Sequence, residues 1–167
     1  KYKLGLFDDP FRYCNEERER TVIGAERSRR EARYMAERSV VLLKNEGAVL
    51  PLASSVRRVA LIGGLSKSQK DMCGSWTCAD ESKVVTLYEA MQERGVEVDF
   101  HEGYDLESNE IKDLKGTLKA ARRADVVVVA MGERSGESGE MTSKGDISIP
   151  EQQQRLVTAL VKTGKPV

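Results

Sequence analysis

The chain has 167 residues, 40% of them hydrophobic, which suffices for one sizeable core and would be cramped for two. Its 27 Lys and Arg residues balance 27 Asp and Glu residues, so no bulk field draws it toward nucleic acid or an anionic membrane. No run approaches the roughly 18 to 20 apolar residues of a membrane span, and the first residues lack the basic-then-apolar layout of a secretory signal.

Residues 1–25, with Gly5, Asp8, Asp9, Pro10 and the charged run Glu16 to Arg20, show no sustained period and read as a lead-in or linker. From Ala25 onward Ala32, Ala36, Val40 and Leu43 recur at helical spacing, with Glu26/Arg30, Arg27/Glu31 and Arg33/Glu37 as i,i+4 charge pairs. This pattern predicts an amphipathic helix ending near Asn45-Glu46-Gly47. The sandwich domain is accordingly placed at 26–167.

After Leu50-Pro51-Leu52, strands alternate with helices. A strand at Val59 to Ile62 precedes a helix carrying Leu87, Ala90, Met91 and Arg94, and Val96 to Phe100 forms the next strand, capped by His101. That histidine has no second histidine to share a metal with. A second helix sets Ile111, Leu114, Leu118 and Ala121 on one face and leads into Val126 to Met131. Four consecutive valines suit a strand buried on both faces, as in the middle of a parallel sheet. A last helix opens at Pro150, carries Leu156, Val157 and Leu160, and stops at Gly164; Lys165-Pro166-Val167 then reads as the start of a further strand, cut off. The expected fold is α/β: a doubly wound, mostly parallel sheet flanked by helices in a flavodoxin-like three-layer sandwich, incomplete at its C-terminal end.

Helix-to-strand joints are minimal, at Gly95, Ala124 and Gly164, whereas two strand-to-helix joints are long, Gly63 to Val85 and Gly132 to Ile149. In a parallel sheet both emerge at the carboxyl edge, and long connections without secondary structure tend to be functional. The working face is expected there. The first connection holds Cys73-Gly74-Ser75-Trp76-Thr77, with the only tryptophan of the chain in a polar loop. It can stack on a sugar ring or another flat ligand, or it can anchor the loop in the core. The second sets Glu133, Glu137 and Glu140 among Gly132, Gly136, Gly139 and Gly145. Such carboxylates can donate protons or bind hydroxyls, or form an ordinary solvated turn.

Cys14, Cys73 and Cys78 form neither a disulfide scaffold nor a C-x-x-C pair; Cys73 and Cys78 can pair in an exported parent, but unpaired small hydrophobes is the favoured reading. Gly63-Gly64-Leu65-Ser66 lacks both dinucleotide and P-loop spacings, and an aspartate is missing where phosphoacceptor chemistry would want one. No cofactor is expected.

The ordered set Lys3-Leu4-Gly5-Leu6-Phe7-Asp8-Asp9-Pro10, Ser39 to Asn45, Leu50-Pro51-Leu52, Ala60 to Gly63, Gly74-Ser75-Trp76, Gly132-Glu133 with Gly139-Glu140, and Ile149-Pro150 followed by Gln152 to Gln154 resembles the second, α/β-sandwich domain of glycoside hydrolase family 3, most of all its bacterial β-glucosidase branch. The resemblance implies a retaining hydrolase of β-linked glucosides, the aspartate nucleophile lying on a preceding (β/α)8 barrel on which this domain packs. It implies Glu140 as acid/base, with Glu137 as runner-up, Trp76 and Ser75 on the substrate's aglycone side, and Gly132, Glu133 and Gly139 shaping the loop. Its substrate would be a β-linked oligosaccharide or β-glucoside, its compartment periplasmic or extracellular, and the isolated chain silent. Lys144 stands where an arginine is common in the family, and Gly64 where a proline is. The alternative is a non-catalytic sugar-binding or scaffolding module of the same fold.

Overall fold

The computed structural model describes residues 1–78 and 80–167, which divide into two compact units, Lys1–Glu46 and Gly47–Val167. The division falls after Glu46, later than the break expected between residues 25 and 26.

The first unit carries two helices, α1 (Glu16–Val22) and α2 (Glu26–Ser39). The lead-in is thus partly helical: the Asn15 side chain accepts from the Arg18 N–H at 2.7 Å, and Glu16, Glu17 and Glu19 favour the positive end of the helix dipole. On α2, Arg33 pairs with Glu37 at 2.8 Å. The helix stops at Ser39 instead of near residues 45–47, because Val40 turns extended at φ −70°, ψ 127° and begins a β-branched and aliphatic run. The apolar spacing that extended the expected helix therefore counted two residues outside it, Val40 and Leu43.

In the second unit β1 (Arg58–Ile62), β2 (Glu97–His101) and β3 (Val126–Val129) form a parallel sheet in the order β2-β1-β3. The three expected strands are present, each within two residues of its expected bounds. Between them run α3 (Gln69–Cys73), α4 (Leu87–Glu93) and α5 (Leu114–Arg123), and α6 (Glu151–Val161) follows β3. Ile111 lies outside α5, in an isolated bridge to Tyr104, because the Asp113 side chain caps α5 by accepting from the Gly116 N–H. The Val127 N–H donates to the Pro166 carbonyl at 2.9 Å, which lays residue 166 beside β3.

Val59, Ala60, Leu61 and Ile62 are fully buried, so β1 is covered on both faces. Ala60, Ile62 and Val127 face a cluster with Ala120, Ala121, Leu156 and Leu160 from α5 and α6. Leu61 is in register with Phe100, whose ring meets Tyr88 of α4 edge-on at 5.8 Å. Three layers result, with α4 on one face and α5 and α6 on the other. A side chain buried as fully as Leu61 contributes about 2–3 kcal/mol. At the amino edge the Asp125 carboxylate accepts from the N–H groups of Arg58 and Arg57, at 2.9 and 2.8 Å, and these bonds hold its pKa below the ordinary value. At the carboxyl edge Gly63, at φ +111°, brings its backbone so close to Ala130 that an added Cβ would lie 2.1 Å from that carbonyl oxygen. This close approach explains the glycine that follows β1. The three cysteines are free, Cys14 and Cys78 exposed and not buried as small hydrophobes.

Tyr104, 1% exposed, donates its hydroxyl to the Ala130 carbonyl at 2.9 Å. Burial, and secondarily the charge of Asp71, pushes its pKa from 10.0 up to about 12. Because the folded value is the raised one, its contribution is complete below pH 10 and is lost as the pH rises toward 12. An ultraviolet phenolate titration should therefore show a step near pH 12 that is absent in Tyr104→Phe, and that variant should lose about 1 kcal/mol of stability in a urea titration.

Candidate functional site

The connections after β1 and β3 end side by side. Ser68 caps α3 within the first, and its hydroxyl donates to Asp71 Oδ2 at 2.5 Å. The other oxygen of Asp71 accepts from the Ser135 N–H of the second connection at 2.8 Å. Ser75 Oγ lies 2.8 Å from the Ser135 carbonyl, 2.6 Å from the Ser138 carbonyl and 3.1 Å from the Ser138 hydroxyl. Its one proton serves one of these acceptors at a time. At Gly139 the backbone, at φ +115°, passes so close that an added Cβ would meet Ser75 Cβ at 2.9 Å and Trp76 Nε1 at 3.7 Å.

Beside these contacts lies an open cleft of about 520 Å³, lined by Ser75 and Trp76 from the first connection and by Ser138, Gly139, Glu140 and Met141 from the second. Trp76 is 76% exposed, so it is no core anchor. Glu140 is exposed within the cleft. Glu137 is placed differently: it is half-buried, with Lys144 Nζ at 3.6 Å and Arg134 Nε at 3.8 Å. Glu133 is also bonded to Lys144, and this bond, first, holds the lysine's pKa above its ordinary value. Ser75, Trp76, Gly139 and Glu140 are thus brought together, while Glu133 and Glu137 meet Lys144 behind them.

The root of the second connection is fixed by a residue to which the sequence reading gave no role. Gln153, 1% exposed on α6, accepts from the Gly132 N–H and donates to the Gly132 carbonyl, both at 3.0 Å, and reaches Asn109 Oδ1 at 3.0 Å. Its signal lies in spacing: Gln153 shares the apolar stripe of Leu156 and Leu160, where a polar residue must have partners. Asp71 was equally legible as the fourth residue of Ser68-x-x-Asp71, a capping pattern. Among the described residues no group of three or more His, Cys, Asp or Glu side chains suits a metal ion, and no helix is long and apolar enough to cross a membrane.

A parallel three-layer domain in the order β2-β1-β3, with a cleft lined by the connections that leave β1 and β3, belongs to the flavodoxin-like class of α/β folds. Residues 40–167 match the glycosyl hydrolase family 3 C-terminal domain, and the chain belongs to glycoside hydrolase family 3. Over its whole length it is 34% identical to a periplasmic beta-glucosidase of Salmonella typhimurium and 29% identical to a beta-xylosidase of Formosa agariphila, covering 25% and 24% of those proteins. It superposes along its whole length on the crystal structure of a beta-glucosidase from Listeria innocua in complex with gluconolactone, with a TM-score of 0.84, 34% identity and 23% of that chain covered. The chain thus spans about a quarter of the length of the curated relatives it matches.

Burial acts against ionisation of Asp71, but the Ser68 hydroxyl, the Ser135 N–H and the Arg134 charge outweigh it, and its pKa lies below the ordinary 3.8. The tie is therefore complete above pH 3.8 and released only as the pH falls through the lowered value. At neutral pH, Asp71→Ala should speed amide exchange at Ser135 by roughly tenfold or more. Gly139→Ala should cost about 1–3 kcal/mol in a urea titration, while Gly136→Ala, where an added Cβ meets open space, should be close to neutral.

Proposed function

We propose that this chain is the second domain of a retaining β-glycosidase of the β-glucosidase type, acting on β-linked oligosaccharides or β-glucosides in the periplasm or outside the cell. Membership of family 3 and the beta-glucosidase and beta-xylosidase names of its relatives support the substrate class. The observation that carries the reading is that Glu140 and Trp76 line one cleft, beside the close approach of Gly139 to Ser75.

Retaining hydrolysis needs one carboxylate to attack the anomeric carbon and a second carboxyl group, about 5–5.5 Å away, to protonate the leaving oxygen. The nucleophile is assigned to a (β/α)8 barrel domain of the same parent, against which the carboxyl edge packs. Glu140 is the proton donor in the first step and the base that activates water in the second. It is favoured over Glu137 because it is exposed and lines the cleft, whereas the Glu137 carboxylate is held between two cations. Trp76 offers its indole face to the leaving sugar, and Ser75 keeps that wall against the acid/base loop.

Protonation matters most when the leaving group is poor. In the full-length parent, Glu140→Ala should lower kcat/KM on a β-linked disaccharide by about 10²–10⁴-fold. An aryl glucoside with a good leaving group should suffer far less at the glycosylation step, and azide should restore turnover by attacking the glycosyl-enzyme without base assistance. Wild-type activity of Glu140→Ala on the disaccharide would sink the assignment.

A further inference from the structure

We infer that Lys144 is the positioning residue of the acid/base loop: its ammonium group closes the segment from Glu133 to Lys144 into a clasp, and the clasp sets where Glu140 stands. This rests on the reading of Glu140 given above.

The segment that carries Glu140 has no regular secondary structure beyond the single turn Ser135–Glu137. Its first half is tied to the sheet edge through Gln153, Asp71 and Ser75. Beyond Gly139 the backbone reverses through Met141 at φ +64°, with the Thr142 hydroxyl donating to the Gly139 carbonyl at 2.6 Å. Met141 and Ile147 are more than nine-tenths exposed, so hydrophobic burial at these positions does not hold the returning strand of the loop. Lys144 does so by charge. It bonds Glu133, eleven positions earlier, and stands 3.6 Å from Glu137.

The surroundings make that bond matter. Glu133, Glu137 and Lys144 side chains are each only 26–35% exposed, so their attraction is screened less than that of a surface pair. Arg134 lies 3.8 Å from Glu137 and 3.0 Å from the exposed Glu107. Without Lys144, the Glu133 and Glu137 carboxylates lose the cation they share, and only Arg134 remains beside Glu137. The two anions then repel, and the returning half of the loop loses its tie. The same cation also engages Glu137, which leaves Glu140 as the carboxyl group presented to the cleft. The chemistry asked of Lys144 is a fixed distance between two ends of a loop, with no contact to substrate.

The test compares Lys144→Met, Lys144→Arg and the charge reversal Glu133→Lys/Lys144→Glu in the full-length parent, with a β-linked disaccharide and a good-leaving-group aryl glucoside as substrates. With activity taken as kcat/KM, which reports the glycosylation step, Lys144→Met should lower it on the disaccharide by about tenfold to a hundredfold and spare it on the aryl glucoside. Lys144→Arg should restore most of the loss, because guanidinium reaches the same two carboxylates. The reversal, which rebuilds one pair, should recover part of it. A merely structural role would depress both substrates together, so an unchanged ratio of the two activities in Lys144→Met overturns the inference. If that ratio is unchanged while Glu140→Ala shifts it, the clasp falls and the assignment of Glu140 stands. If Glu140→Ala keeps disaccharide activity, the assignment falls and takes the clasp with it.

Discussion

The parallel hydrogen bonding of β1 to β2 on one side and to β3 on the other constrains everything that follows. The chain leaves β1 and β3 at the same edge but travels to opposite faces, toward α4 and toward α6. Between those departures neither helix covers the edge, and the crevice of a doubly wound sheet opens there. With Val59 to Ile62 fully buried between two layers, a shift of register would unpack the side chains on both faces and draw Arg58 inward, so the two departure points are fixed relative to each other. The long connections inherit that fixed spacing, and Ser75 and Asp71 convert it into contact with residues 135–139.

Burial wrote its pattern plainly into the sequence. The valines of β3 and the apolar positions Leu118 and Ala121 of α5 reflect side chains drawn partly or wholly out of water, and the three strands lie within two residues of their expected bounds. The end of α2 was misjudged for a physical reason: Val40 and Leu43 fit a helical stripe, but Val40 opens a run with two β-branched residues, and it takes an extended backbone at φ −70°, ψ 127°. Ile111 was misplaced in the same way, as an apolar residue at helical spacing beyond a cap. Periodicity records which residues are apolar and does not record where the backbone turns.

Loop contacts leave a fainter trace. That Trp76 and the glutamate loop share an edge followed from topology, but the pairing of Ser75 with the Ser135 and Ser138 carbonyls uses small polar residues that occur in any turn. Nor does sequence show which of three carboxylates faces the cleft. Glu133, Glu137 and Glu140 are spaced by four and three residues, which a helix would place on one face. The chain makes a single 3-10 turn here, at Ser135–Glu137, then turns again at Gly139 and Met141, and Glu140 lines the cleft with Trp76 while Glu133 and Glu137 pair with Lys144. Gln153 was the more legible signal, since a glutamine within an apolar stripe demands an explanation before the fold is known.

A carboxyl group with the role proposed for Glu140 cannot be fixed by burying it, because desolvation and access are opposed. The loop that presents Glu140 resolves this with several polar ties placed away from it, each contributing on the order of 1 kcal/mol. The ties grade along the chain. Gln153 at the root is buried, Asp71 is half-buried, the Lys144 side chain is about a third exposed, at 35%, and Ser75 is open to water. Hydrogen bonds to the root therefore compete least with solvent, and those nearest Glu140 compete most. The order of stiffness that results runs from the sheet outward, firm where Gly132 leaves β3 and softest at the turn around Met141. On the reading proposed for Glu140, a side chain that gives up a proton in one step and takes one in the next gains from that order, because the root holds it near the cleft while the tip can adjust to the leaving oxygen and then to water.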